Sequence, residues 1–105
     1  MTETPAERRA AAMAAMWEEA RPRIMGRVAV LQAAAAAASD GGLDLAARRE
    51  AEGEAHKLAG SLGMFGFPTG TDVARDIETL LEGDGPLGPE FSTLVSRLVD
   101  LLPSE

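Results

Sequence analysis

Cysteine and tyrosine are absent from these 105 residues, and histidine and tryptophan occur once each. Without cysteine there are no disulfides, no thiolate catalysis and no cysteine-based zinc site. One histidine without cysteine is also a poor start for any other metal centre, and no metal is expected. Few residues are β-branched, which disfavours a sheet. Positive charge is short as well: Lys and Arg number 10 against 17 Asp and Glu, a net charge of −7. Nucleic acid is thereby a poor partner, because no excess of cations exists to neutralise phosphates. The alanine run Ala33 to Ala38 is far too short to span a bilayer. Glu3, Glu7, Arg8 and Arg9 precede the first apolar stretch, so the N-terminus does not read as a secretory signal. No membrane association and a cytoplasmic location are the expectations.

What remains is alanine-rich, 46% hydrophobic and 26% charged, the make-up of one helical globular domain over residues 1–105. Five helical stretches can be read. The first, about 5–20, offers Met13, Met16 and Trp17 to cap the core. Pro22 lacks a backbone donor, which predicts a break or kink near Arg21. A second helix, about 22–38, carries Ile24, Val28, Leu31 and Ala35 at helical spacing, and Ser39-Asp40-Gly41-Gly42 stops it. The third, about 43–65, has a core stripe of Ala47, Ala51, Ala55, Leu58, Leu62 and Phe65. After Gly66-Phe67, Pro68 opens a fourth helix, about 68–82, that buries Val73, Ile77, Leu80 and Leu81. The fifth, about 89–102, contributes Phe91, Leu94, Val95, Leu98 and Leu102. Short connections between such helices make antiparallel neighbours. The expected fold is all-α, an up-down four-helix bundle with an additional N-terminal helix that crosses one end or extends the second helix.

The single histidine has unusual company. In Gly53-Glu-Ala-His56-Lys-Leu-Ala-Gly60-Ser-Leu-Gly63, offsets of three, four and seven place Gly53, His56, Gly60 and Gly63 on one helical stripe. Each interior glycine costs roughly 1 kcal/mol relative to alanine. A helix that carries this burden around its one imidazole is shaped for the close approach of something large. No phosphate-binding glycine loop is present, because Gly60-Ser-Leu-Gly63 lies within helix, and there is no nucleophile elbow. The imidazole itself is left as a nucleophile, one ring nitrogen carrying a lone pair and the other a proton that a carboxylate can orient.

The stretch from Ala55 through His56-Lys57-Leu58-Ala59-Gly60-Ser61-Leu62-Gly63-Met64-Phe65-Gly66 to Phe67 resembles the signature of histidine-containing phosphotransfer (HPt) domains of two-component phosphorelays. It is also similar to the phosphotransfer domain of chemotaxis histidine kinases, and the similarity continues to about Leu81. The resemblance implies that His56 accepts and passes on a phosphoryl group. It implies that Glu78, on the adjacent helix, bonds to the histidine ring, which meets the need for an orienting carboxylate. It matches Gly60 to a glycine that lets the partner approach. Lys57 supplies a cation beside the site, and Arg75 falls at a position often basic in the family. Where many members carry lysine three residues after the histidine, this chain has Ala59.

The reading is a phosphoryl carrier without kinase activity of its own. It would exchange a phosphoryl group between His56 and a receiver-domain aspartate, with no cofactor beyond the Mg²⁺ expected on the receiver. The expected partners are a receiver domain, a histidine kinase or both, and a monomer is the expected state. One alternative is a chemotaxis-type module phosphorylated in trans by a kinase. Another is a non-catalytic helical adaptor that binds a receiver without taking phosphate.

Overall fold

A computed structural model describes residues 2–103, so Met1, Ser104 and Glu105 of the expected domain lie outside the described residues. Among them are four α-helices and no strand: α1 Pro5–Ser39, α2 Leu45–Leu62, α3 Pro68–Glu82 and α4 Pro89–Leu101. A 3₁₀ turn, Gly63–Phe65, prolongs α2. The helices pack in a ring, α1 on α2, α2 on α3, α3 on α4 and α4 back on α1, with the α2–α3 contact the most extensive.

The expected break near Arg21 does not occur. Residues 5–39 form one continuous helix of 35 residues with Pro22 inside it, so the N-terminal stretch extends the second helix. A proline within a helix costs about 3 kcal/mol through its missing donor and its clash with the preceding turn. Two features offset that cost. Pro22 lies on the exposed side, where water can serve the carbonyl it leaves unbonded. Trp17 and Ala20 before it share one buried stripe with Ile24, Val28 and Leu31 after it, and each large side chain buried there contributes roughly 1.5–3 kcal/mol. Burial across the proline outweighs the local defect.

Start and stop signals fix the ends. Thr4 and Glu7 form a capping box at the start of α1: the Glu7 N–H donates to Thr4 Oγ1 at 3.1 Å, and the Thr4 N–H donates to Glu7 Oε1 at 3.2 Å. At its other end Gly41 adopts φ 73°, its N–H donates to the Ala38 carbonyl, and the Gly42 N–H donates to that of Ala37. Gly66, at φ 88°, closes the prolonged α2 in the same way, with Gly66 bonding to Gly63 and Phe67 to Leu62. These are Schellman ends, in which a left-handed glycine lets the chain fold back on its own last carbonyls. The tight turn at Gly66 brings α3 antiparallel to α2 and so sets histidine and glutamate helices side by side.

The core comprises Ile24, Val28, Leu31, Leu58, Leu62, Val73, Ile77, Leu81, Phe91 and Leu98, all essentially without solvent access. Ala51 and Ala55 are equally buried, so alanine is what lets α2 lie close to its neighbours. Of the residues expected to cap the core, Trp17 does so, edge-on to Phe65 and Phe67 with ring centroids 5.9 and 5.0 Å away. Met13 and Met16 do not, being 43% and 51% exposed. They lie on the first part of α1, where residues 5–16 are all exposed, Met13 reaching the turn at Gly66 only with its sulfur.

The C-terminal end of α3 has no basic residue of its own to meet its free carbonyls. Two arginines of α2 supply the donors. Arg48, only 8% exposed, donates from Nε to the Leu81 carbonyl at 3.1 Å, from one terminal nitrogen to Leu80 at 3.2 Å and from the other to Gly85 at 2.8 Å. Arg49 donates to the carbonyls of Leu81 (2.8 Å) and Gly83 (3.1 Å) and to the Asp84 carboxylate at 2.7 Å, and also pairs with Glu52. The Glu52 hydrogen bond holds the Arg49 guanidinium pKa above its ordinary value. Cations here also oppose the negative end of the helix dipole. Between α1 and α2, Arg27 and Glu54 form a part-buried ion pair at 2.7 Å.

Candidate functional site

His56 projects from the middle of α2 with its side chain 75% exposed. Facing it on α3 is Glu78, 21% exposed, whose Oε2 lies 2.9 Å from His56 Nδ1. An ionised carboxylate can only accept, so the proton of this bond resides on Nδ1. In the neutral imidazole this leaves the lone pair on Nε2. Around the pair is an open depression of about 350 Å³ lined by His56, Ala59, Gly60, Arg75, Glu78 and Thr79.

The two helices set this geometry simply. On α2, Ala55, Leu58 and Leu62 face the core, which turns His56 and Gly60 outward. On α3, Val73, Ala74, Ile77 and Leu81 face the core, which leaves Glu78 half-buried at the edge of the interface and Arg75 exposed one turn earlier. A Cβ added at Gly53 or Gly60 would meet nothing within 4 Å, so both glycines border open space.

Gly63 differs from the other two. It lies in the 3₁₀ turn, and a Cβ there would come 3.4 Å from Thr71 Oγ1 of α3. That is ordinary van der Waals contact, and Gly63 is itself exposed. The buried Thr71 hydroxyl donates to the Ala59 carbonyl at 3.0 Å. Lys57 is exposed on α2 but does not line the depression. Ser61 bonds back to the Lys57 carbonyl at 2.8 Å, a local helix contact with no part in the site.

Sequence reasoning passed over Thr79, whose hydroxyl is already engaged with the Arg75 carbonyl at 3.0 Å. It also passed over Arg48 and Thr71. A signal for Arg48 was present: it precedes Ala51, Ala55, Leu58 and Leu62 at intervals of three, four, three and four, which puts it on the core stripe. A charged residue at a core register needs partners of its own.

Among the described residues no group of three or more His, Cys, Asp or Glu side chains is arranged to hold a metal ion. No helix among them is long and apolar enough to cross a membrane.

Comparison with known proteins returns a consistent picture. The sequence model of the family described as "Hpt domain" matches residues 15–105. Protein RcaC of Microchaete diplosiphon is 29% identical over 89 residues, which is 85% of this chain and 14% of RcaC, so the chain spans a small part of that relative's length. No solved structure matches at a significant level.

Proposed function

Since this chain belongs to the Hpt domain family, we propose that it carries phosphoryl groups on His56, exchanging them with an aspartate of a receiver domain. One observation carries the reading: the family's single reactive residue type occurs once, is exposed, and has Nδ1 2.9 Å from a half-buried carboxylate.

The chemistry follows from that bond. With the proton held on Nδ1 by Glu78, the Nε2 lone pair points to solvent and attacks the phosphorus of an aspartyl phosphate. The P–Nε2 bond forms as the P–O bond to the aspartate breaks, and the electron pair of that bond leaves with the carboxylate. No proton need move during the step. The phosphorylated ring keeps its Nδ1 proton and is an imidazolium, whose positive charge the Glu78 carboxylate stabilises. Reversal uses the same groups. A largely dissociative phosphoryl transfer asks chiefly for positioning and charge stabilisation. This chain supplies the positioned nucleophile, and Mg²⁺ on the receiver supplies most of the charge.

The remaining roles follow from placement. Gly60 and Gly53 give the partner clearance, since a receiver must bring its aspartate to within bonding distance of Nε2. Arg75 is the cation at the depression and the best placed to meet phosphoryl oxygens. Lys57, outside the depression, adds a positive charge beside the approach. The protein is a carrier with no kinase activity of its own.

The test is incubation with a panel of phosphorylated receiver domains, and separately with a histidine kinase and ATP, comparing wild type with His56→Gln. Acid-labile, base-stable phosphate should appear on wild type from a receiver and be absent from His56→Gln. Labelling by the kinase alone would point to the chemotaxis-type role. A wild-type protein that binds receivers as well as His56→Gln does, and never takes label, would be an adaptor.

A further inference from the structure

A histidine–carboxylate bond between two helices is only as good as the register of those helices. The His56–Glu78 distance of 2.9 Å leaves a margin of about 0.7 Å before the contact ceases to be a hydrogen bond at 3.6 Å. Glu78 is 21% exposed, so neighbouring atoms confine its rotamers and it cannot swing freely to follow a displaced partner. Something must hold α3 against α2 to within that margin. Apolar packing supplies part of this, with Leu62 of α2 seated against Gly70 of α3, but the rest of the α2 side includes the small residues Ala51, Ala55 and Ala59, which offer few knobs to resist sliding.

Two polar latches flank Glu78. Two turns before it, the buried Thr71 hydroxyl donates to the Ala59 carbonyl of α2 at 3.0 Å. Immediately after it, Arg48 of α2 donates to the carbonyls of Leu80 and Leu81 and to Gly85 beyond the helix end. Both join α2 to α3, both are buried, and both bind backbone, which cannot rotate out of the way as a side chain can. Arg48 has no carboxylate partner in this arrangement; its rigid planar fork is spent wholly on carbonyls at the negative end of α3.

We propose that Arg48 and Thr71 are positioning residues for the phosphoryl-accepting pair, fixing the register of α3 so that Glu78 meets His56 Nδ1. This rests on the reading that Glu78 orients the ring. Neither residue touches the reacting atoms.

The single histidine makes the test unambiguous, because ¹⁵N NMR of the ring reports the Nδ1–H tautomer of His56 alone. Arg48→Met, Arg48→Lys, Thr71→Val, Glu78→Ala and the double variant Arg48→Met with Glu78→Ala are compared by helicity, ring tautomer and transfer rate. In variants that stay helical, the tautomer should shift toward that of Glu78→Ala and transfer should slow several-fold. The double variant should transfer no more slowly than Glu78→Ala, since Arg48 acts through Glu78. Arg48→Lys should recover only part of the loss, a single ammonium being unable to serve three carbonyls in one plane. Should Arg48→Met fail to fold, Arg48→Lys and Thr71→Val decide. Folded variants with the wild-type tautomer and rate overturn the proposal, as does a double variant in which the two losses multiply. If Glu78→Ala itself keeps the wild-type ring and rate, the orienting role of Glu78 fails and this inference falls with it, an outcome distinct from the others.

Discussion

At the scale of single residues, the proposed function divides the site into a nucleophile, its orienter and an open approach. Hydrogen bonds to charged groups contribute about 1.5–3 kcal/mol, and each 1.36 kcal/mol off a barrier is tenfold in rate. The His56 side chain is 75% exposed, which places its bond to Glu78 at the low end of that range. Glu78→Ala should therefore slow phosphoryl transfer roughly tenfold in a single-turnover assay, with helicity unchanged. Gly60 makes the opposite trade between folding and function. Its Cβ direction is open, so Gly60→Leu relieves a helix defect of up to about 1 kcal/mol and should raise Tm by a few degrees. The same side chain would stand beside His56 in the partner's path, so transfer from a phosphorylated receiver should collapse. Normal transfer by this variant would remove the steric argument for the glycine.

At the scale of helices, what the sequence made legible is what periodicity and end signals encode. The core stripes of α2, α3 and α4, the stop at Gly41-Gly42 and the turn at Gly66-Phe67-Pro68 all follow from residue spacing and from glycine and proline chemistry. The His56–Glu78 pairing was legible through family resemblance, and the motif carrying it lies in one segment. Two things were hidden, each because it depends on contacts remote in sequence. Pro22 stays within α1 because packing on both sides of it favours one continuous stripe, a tertiary effect that local propensity does not contain. Arg48 satisfies carbonyls at the far end of α3, a place no local pattern names. The proline is directly testable. Since Pro22 is exposed, Pro22→Ala restores a helix hydrogen bond and removes a clash at no expense in packing. The gain of up to about 3 kcal/mol is reduced by up to about 1 kcal/mol as the unfolded chain becomes freer. Urea unfolding should show a net stabilisation of about 2 kcal/mol, with phosphoryl transfer unaltered.

At the scale of the whole molecule, the bundle is a short cylinder with one helix too long for it. The extents are 58 × 20 × 19 Å, and the long axis is essentially α1, whose 35 residues span about 52 Å at 1.5 Å per residue. A compact chain of this length would have a radius of gyration near 13 Å by the usual scaling; here it is 15.6 Å. The family match begins at residue 15, so most of the exposed overhang lies outside the matched domain. Removing residues 1–14 should lower helicity in proportion to the turns lost while shifting Tm little, because residues 5–16 are exposed throughout. A large fall in Tm would show that the overhang stabilises the bundle. The overhang also governs how the protein travels through solvent. A rod tumbles and diffuses more slowly than a sphere of equal mass, so a monomer will leave a sizing column early and show long fluorescence-anisotropy decay. Stoichiometry with a receiver should accordingly be read from mass, by light scattering or sedimentation equilibrium, where friction drops out.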